Sequence, residues 1–229
     1  MIGYKKQDIH RMAEEVLLNI ETLYRQPCIN YRGKTTDTKE TYTEVLAEAV
    51  LHKLDLFGNI TAVSRKRSYR VAGHKGITDN DQSNRVEEQV ARNMFGKSFS
   101  HIGRVLDYQV PLKDARDNKA GKIDLLSFKD DTLIILELKK ENSQETLLRC
   151  TLEVATYWHK VDKDKLLKDF DEFNAKRVQP AILVYKDGAQ HNEYKDASTN
   201  IRKLMNQLQV GMYVINGYYD LQVFGIGLP

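Results

Sequence analysis

A short apolar run that ends in two charged residues constrains this chain more than any other feature of its sequence. Residues 133–136 are all apolar, and Glu137 and Lys139 follow them on either side of Leu138. Because the side chains of a strand alternate between its two faces, Glu137 and Lys139 must share one face. A carboxylate on a buried strand is costly unless it is paired or binds a cation. The run therefore predicts a charged site on a buried strand.

A second carboxylate is predicted to reach the same point from the preceding strand. Residues 122–128 and 132–139 have strand patterns on either side of a polar turn. A hairpin turned near Asp130 brings Asp124 opposite Glu137, since the two residues lie equally far from the turn. Two adjacent carboxylates repel each other unless a divalent ion neutralises them, and their oxygen atoms suit Mg²⁺ or Mn²⁺.

The ammonium of Lys139 would complete a set of groups suited to phosphodiester hydrolysis. A divalent ion polarises a phosphoryl oxygen and lowers the pKa of a bound water. Lys139 beside it would orient that water and stabilise the charge that develops on the phosphate. The residues thus indicate a metal-dependent phosphodiesterase.

This arrangement resembles the PD-(D/E)xK nuclease superfamily, which has the restriction-endonuclease-like fold. The resemblance rests on Ile123-Asp124, twelve intervening residues and Glu137-Leu138-Lys139, in a predicted order of helix, strand hairpin, helix and strand over residues 84–186. Ile123 replaces the proline that names the motif, at a position known to be loose in this superfamily. The resemblance implies Mg²⁺-dependent cleavage of DNA, or less often RNA. It makes Asp124 and Glu137 metal ligands and Lys139 the catalytic lysine.

The superfamily often adds an acid from the helix that precedes the first strand. In the predicted helix at residues 84–97, Glu87 falls near the centre of the apolar stripe and Glu88 at its margin. A role in catalysis, with Glu87 as a further metal ligand, would explain an acid there. The alternative is that either glutamate merely stabilises the helix N-terminus through the dipole. The sequence leaves the choice between the two glutamates open.

The helix that follows the motif carries further polar candidates. Glu145, Arg149, Glu153 and Tyr157 recur at four-residue spacing and share one face of that helix. Arg149 is the preferred phosphate contact, and Tyr157 is a second candidate for binding substrate. For Glu153 the favoured interpretation is a solvated face with an ion pair.

Charge is concentrated in one basic segment, whereas the net charge of +3 says little about partners. Residues 64–75 contain five basic residues and no acid, so the segment could follow a phosphate backbone. The alternative is a solvated basic loop. The residues concerned are Arg65, Lys66, Arg67, Arg70 and Lys75, and the first four are candidates for substrate contact.

The order of helix and strand patterns predicts an α/β protein with a mixed sheet flanked by helices. Helix patterns at residues 7–25 and 40–57 form an N-terminal helical extension within residues 1–80, and residues 81–229 form the nuclease-like domain. The first strands should pair antiparallel, and the strand after the long helix should join in parallel. The remaining predicted elements are a strand at 104–112, helices at 142–160 (with Asn142 and Glu145 as a capping box), 163–173 and 199–208, a strand at 181–185 and a strand pair within 212–224.

Several function classes are disfavoured by what the sequence does not contain. No apolar run approaches a membrane span, the N-terminus lacks a signal-peptide core, and the two cysteines fit reduced thiols in a cytoplasmic protein. The histidines lack paired zinc spacing, and the glycines lack a phosphate-loop pattern. Two sets of residues are considered and set aside: Asp107, Asp114 and Asp117 as solvated, and Tyr213, Tyr218 and Tyr219 as strand-packing residues rather than base-stacking ones.

The prediction is therefore a Mg²⁺- or Mn²⁺-dependent nuclease that acts on DNA, with RNA as the second choice. Family analogy allows a homodimer. One rival is a binding or docking module that keeps the fold without catalysis. The other rival is a structural α/β domain in which Glu137 and Lys139 form a strand-edge ion pair, which an exposed edge would permit.

Overall fold

A seven-stranded mixed sheet with helices on its faces organises the part of the chain that the structure describes. The structure is a computed structural model and describes residues 3–74, 86–114, 121–196, 199–217 and 222–226. The strands are β1 (Ser98–Phe99), β2 (Gly103–Pro111), β3 (Lys122–Lys129), β4 (Thr132–Leu138), β5 (Arg177–Tyr185), β6 (Gly211–Asn216) and β7 (Gln222–Ile226). The α-helices are α1 (Lys6–Leu17), α2 (Tyr42–Leu51), α3 (Val86–Met94), α4 (Leu147–Lys160), α5 (Lys163–Asp169), α6 (Ala189–Asp196) and α7 (Thr199–Gln207).

The strands lie side by side in chain order, so every pairing joins sequence neighbours. Strands β1 to β4 pair antiparallel, β4, β5 and β6 pair in parallel, and β7 returns antiparallel to β6. The antiparallel hairpin, the parallel strand after the long helix and the C-terminal strand pair that the sequence predicts are all confirmed. The two parallel steps need crossovers, which are supplied by α4 with α5 and by α6 with α7.

Alternation along β4 divides the apolar core between the two faces of the sheet. Leu133 and Ile135 belong to one buried cluster, and Ile134, Leu136 and Leu138 belong to the other. The first cluster also contains α1, α2, α4 and α7, so the N-terminal helices and the crossover helices share one core. Helix α3 packs on the opposite face. The predicted boundary at residues 80–81 lies outside the described residues.

Several helix bounds differ from the sequence prediction. The predicted helix at 7–25 ends as an α-helix at Leu17, and the one at 40–57 ends at Leu51, each followed by a 3₁₀ segment. Asn142 does not cap α4, because the Thr146 hydroxyl oxygen accepts a hydrogen bond from the Arg149 N–H and begins the helix there. The same hydroxyl donates to the carbonyl oxygen of Ile29. This contact is distant in sequence, so the local pattern could not reveal it. Helix α6 and strand β1 were not predicted.

None of the helices in the described ranges is long and apolar enough to cross a membrane.

The fold predicts that His159 makes a destabilising contribution in mild acid. This α4 side chain is partly buried, with its ring centroid 5.7 Å from that of Phe57, and burial together with nearby Lys163 lowers its pKa to about 4. In the unfolded chain the imidazole pKa is about 6.5. Protonation therefore favours unfolding as the pH falls from about 6.5 to about 4. In urea denaturation at pH 7 and pH 5, the change in the free energy of unfolding on acidification should be less unfavourable for His159→Gln than for the wild type.

The matched control for this experiment is His52→Gln, because the His52 side chain is exposed. The control should show the same change between the two pH values as the wild type does. Equal changes in wild type and His159→Gln would show that His159 does not contribute to the pH dependence.

Candidate functional site

The hairpin brings Asp124 to the end of β4, next to the charged residues of the motif. Leu125 pairs with Leu136, which is the register that the sequence predicts for Asp124 and Glu137. The Asp124 Oδ2 atom accepts a hydrogen bond of 3.0 Å from the backbone N–H of Leu138. The carboxylate is thus hydrogen-bonded to the backbone between Glu137 and Lys139.

Lys139 lies at the centre of the charged cluster. Its Nζ atom is 2.6 Å from Glu137 Oε1, 2.6 Å from Glu145 Oε2 and 3.4 Å from Glu153 Oε2. Only 5% of Lys139 and 4% of Glu137 is exposed. The ammonium donates hydrogen bonds to Glu137 and Glu153, whereas its contact with Glu145 is an ion pair without hydrogen-bond geometry. The burial excludes the interpretation of Glu137 and Lys139 as an ion pair at an exposed strand edge.

Burial and mutual repulsion shift the pKa values of this cluster. Removal from water raises the pKa of Asp124 to about 7, against the lowering effects of Lys139 and the Leu138 N–H. Burial and then the charge of Asp124 raise the pKa of Glu137 well above its ordinary value. Burial disfavours the charged form of Lys139, yet the surrounding carboxylates, Glu137 first, raise its pKa above the ordinary value. The cluster therefore keeps Lys139 protonated, and it contains more carboxyl groups than positive charges to neutralise them.

Helix α3 directs Glu87, and not Glu88, toward the end of β4. The Glu87 Oε1 atom accepts a hydrogen bond of 3.1 Å from the backbone N–H of Lys140, and the charge of Glu87 contributes to the raised pKa of Asp124. Glu88 instead forms an ion pair of 2.6 Å with Arg92 one turn along its own helix. Of the two glutamates that the sequence left open, only Glu87 contacts the segment that directly follows β4.

The polar face of α4 lies against the site and is not a solvated surface. The Glu153 side chain is 13% exposed, contacts Lys139 and accepts a hydrogen bond of 2.9 Å from the Tyr157 hydroxyl. The interpretation of Glu153 as part of a solvated face is therefore wrong, because the lysine and the tyrosine enclose it. Arg149 is partly exposed and pairs with Glu145 at 3.1 Å, which places its guanidinium one carboxylate away from Lys139.

Tyr157 is buried between the N-terminal segment and the start of β3. Its hydroxyl oxygen lies 3.5 Å from that of Tyr24, and burial raises the pKa of Tyr157. Gly121 has a φ of +95°, and a Cβ atom added there would lie 2.6 Å from the Tyr157 ring. Both the backbone conformation and the close approach require glycine at this position. In the structure Tyr157 is a partner of Glu153.

The basic segment is held in place by Asp114, which the sequence analysis had set aside as solvated. Asp114 accepts hydrogen bonds from the backbone N–H groups of Lys66 (2.6 Å) and Arg67 (3.2 Å) and from Arg65 Nε (3.4 Å). Arg65 is only 9% exposed and also donates to the carbonyl oxygen of Pro111. Arg65 is thus an internal anchor of this segment, which argues against its assignment as a substrate contact.

The other basic candidates differ in exposure and surroundings. Lys66, Arg67 and Arg70 are exposed. The Arg70 guanidinium lies 4.7 Å from the centroid of the Phe170 ring and donates to the carbonyl oxygen of Asp169. Lys75 lies outside the described residues, as do Asp117, Tyr218 and Tyr219.

Two residues of β2 make buried contacts that the sequence analysis did not predict. Asp107, also set aside as solvated, is 2% exposed, pairs with His74 and accepts a hydrogen bond of 2.8 Å from the Val71 N–H. Gln109 Nε2 donates a hydrogen bond of 2.8 Å to Asp124 Oδ1. The feature of the sequence that could have indicated these contacts is a polar residue on a strand that neighbours the motif. That signal is weak, because a strand of this kind can turn polar side chains to solvent.

The donor set suits a hard divalent cation that is completed by water or substrate. Carboxylates outnumber cationic groups in the cluster, and Asp124 and Glu137 are close enough for the charge of Asp124 to raise the pKa of Glu137. Among the described residues, no group of three or more His, Cys, Asp and Glu side chains is arranged to hold a metal ion. Mg²⁺ is commonly bound by one or two carboxylates, with waters and substrate phosphates in its other positions. Asp124 and Glu137 fit that requirement.

Comparison of the chain with family models, with curated proteins and with solved structures finds no match.

The buried lysine predicts a large stability effect at this site. In Lys139→Met, Glu137 loses its closest cation, so we expect the free energy of unfolding at pH 8 to fall by about 3 kcal/mol. The double variant Glu137→Gln/Lys139→Met removes both charges and should recover part of that loss. Urea denaturation monitored by circular dichroism provides the measurement.

Lys140→Met is the control, because the neighbouring Lys140 side chain is exposed. It should change the free energy of unfolding by less than about 0.5 kcal/mol. Similar small effects at both lysines would contradict the buried ion cluster.

Proposed function

We propose that this chain is a metal-dependent nuclease that hydrolyses phosphodiester bonds in DNA through Asp124, Glu137 and Lys139. The observation that supports this most strongly is the hydrogen bond from the Leu138 N–H to Asp124, which joins the carboxylate to the backbone between Glu137 and Lys139. Phosphodiester hydrolysis needs such carboxylate and ammonium groups at one point. The fold we propose is restriction-endonuclease-like, supported by the β3–β4 hairpin and the parallel strand β5 after α4.

Each residue of the site has a distinct proposed role. Asp124 and Glu137 would hold Mg²⁺ or Mn²⁺. Glu87 is assigned as a further carboxylate ligand of that ion. When bound, such an ion polarises a phosphoryl oxygen and lowers the pKa of a water. The surrounding carboxylates keep Lys139 protonated. Its ammonium therefore donates hydrogen bonds, to the attacking water and to the charge developing on the phosphate, and does not act as a base.

Substrate contact is assigned to α4 and to the exposed part of the basic segment. Arg149 lies beside the cluster through its pair with Glu145, where a guanidinium can bind a phosphate in bidentate fashion. Lys66, Arg67 and Arg70 present positive charge to solvent. The preference for DNA over RNA, and a homodimer that would cut both strands, follow from the superfamily resemblance alone.

A second candidate is a nucleic-acid-binding or partner-docking module that keeps the fold without catalysis. The observation in its favour is that three glutamates already surround the Lys139 ammonium. A nuclease must present an N–H donor of that ammonium to water or phosphate, whereas a binding module need not.

Cleavage of plasmid and oligonucleotide substrates separates the two candidates. We expect wild-type cleavage with Mg²⁺ or Mn²⁺ and none with EDTA. Asp124→Asn and Glu137→Gln keep the side-chain shape but remove a ligand charge, so each should lower the cleavage rate at least about a hundredfold. Lys140→Met is the control and should cleave as the wild type does.

Full cleavage by Asp124→Asn would refute the assigned site. If no DNA or RNA is cut and the wild type binds no Mn²⁺, the binding module becomes the better proposal.

The exposed basic residues predict a salt-dependent contact with DNA. The double reversal Lys66→Glu/Arg67→Glu should weaken DNA binding and lower the slope of log K against log salt by about 1.8, since each phosphate contact contributes about 0.9. Fluorescence anisotropy in EDTA, at a series of salt concentrations, measures binding without cleavage.

The control reverses two exposed lysines elsewhere, Lys53→Glu/Lys203→Glu, and changes the net charge by the same amount. It should leave the slope close to the wild-type value. Equal slopes in both double variants would remove the basic segment from the interface.

A further inference from the structure

Gln109 has an unusual backbone conformation for its place in the sheet. It lies inside β2 with a φ of +47°, in the left-handed region that residues other than glycine rarely adopt. Among the described residues, the other non-glycine residues with a positive φ lie in turns or loops. The ladder continues on both sides of Gln109 through the pairs Tyr108–Leu125 and Val110–Ile123. This continuity places Gln109 opposite Asp124.

The side chain of Gln109 contacts the carboxylate assigned to the metal. Its Nε2 atom donates to Asp124 Oδ1 at 2.8 Å, while the backbone N–H of Leu138 donates to Asp124 Oδ2 at 3.0 Å. The two donors come from β2 and β4, the strands on either side of the one that carries Asp124. Each carboxylate oxygen is therefore held by one neutral donor, which sets the plane of the group. Each oxygen also keeps a second lone pair for another partner.

A strained residue persists in a strand only where its surroundings hold it, and such residues cluster at functional sites. The strain at Gln109 is local, because the strand register is kept on both sides. The amide makes a hydrogen bond that a strand residue pointing to solvent would not make. The conformation and the contact together indicate that Gln109 serves Asp124.

We propose that Gln109 is a positioning residue, which holds the Asp124 carboxylate in the orientation that binds the divalent ion. This inference rests on the proposed function, since it assigns a partner to the same site. Gln109 acts through Asp124 and does not itself touch the metal or the substrate. Hydrogen-bond partners of ligating side chains typically account for about 10- to 100-fold in metal affinity.

Two substitutions separate positioning from structural support. Gln109→Asn keeps an amide and tolerates the left-handed backbone, but it is one methylene too short to reach Asp124. Gln109→Gly relieves the backbone strain and removes the side chain. For both variants we expect the dissociation constant for Mn²⁺, added alone to the full chain, to rise about 10- to 100-fold. The melting temperature of Gln109→Gly should be unchanged or higher.

Gln209→Gly is a matched control. Gln209 has a φ of +54° and is exposed after α7, so it has the same residue type and backbone conformation without the contact to Asp124. This variant should gain or keep stability and bind Mn²⁺ as the wild type does. Asp124→Asn is the reference for loss of the ligand.

Titration calorimetry of Mn²⁺ into these proteins decides the outcome. Weaker binding in both Gln109 variants, with stability retained in Gln109→Gly, supports the positioning role. Wild-type affinity in both, while Asp124→Asn binds poorly, overturns the role of Gln109 and leaves the proposed function standing. If the wild type shows no Mn²⁺ binding that Asp124→Asn removes, the positioning role and the metal site fail together.

Discussion

The buried ammonium of Lys139 fixes how helix α4 packs against the sheet. Lys139 directly follows β4 and contacts Glu137 of that strand, Glu145 just before α4 and Glu153 within α4. Those contacts require α4 to present one particular face to the sheet. Its capping residue, Thr146, sets that orientation through bonds to the N-terminal segment. Burial makes the arrangement stringent, since a charge removed from water tolerates little error in the position of its partners.

The features predictable from sequence are those that depend on local periodicity. Alternation along residues 132–139 and the symmetry of the turn are sufficient to bring Asp124 beside Glu137. The predictions that were wrong concern residues whose contacts lie far away in the sequence. Arg65 and Asp114 are 49 positions apart, so a basic run alone could not reveal that one of its members is an internal anchor. Helical spacing grouped Glu153 with Glu145 and Arg149, but spacing does not say whether a polar face meets water or a buried lysine.

The acids of the site reach it from both faces of the sheet. Helix α4 lies in the cluster that contains Leu133 and Ile135, whereas α3, which carries Glu87, packs on the opposite face. Both helices approach the end of β4, where backbone N–H groups are free to bind carboxylates instead of a neighbouring strand. The Leu138 N–H binds Asp124 and the Lys140 N–H binds Glu87. The backbone at the end of β4 thus binds one acid from β3 and one from α3.

The cap of α4 has a consequence for how this site could pass between proteins. Ile29 and Asn30 lie more than a hundred residues before Thr146, yet they hold the turn from which α4 begins. A gene segment that encodes only the hairpin and α4 would deliver the charged side chains without the anchor that orients them. Recombination that preserves the geometry of this charged cluster would have to carry the N-terminal segment as well. The stretch of sequence needed to build this site is thus much longer than its motif.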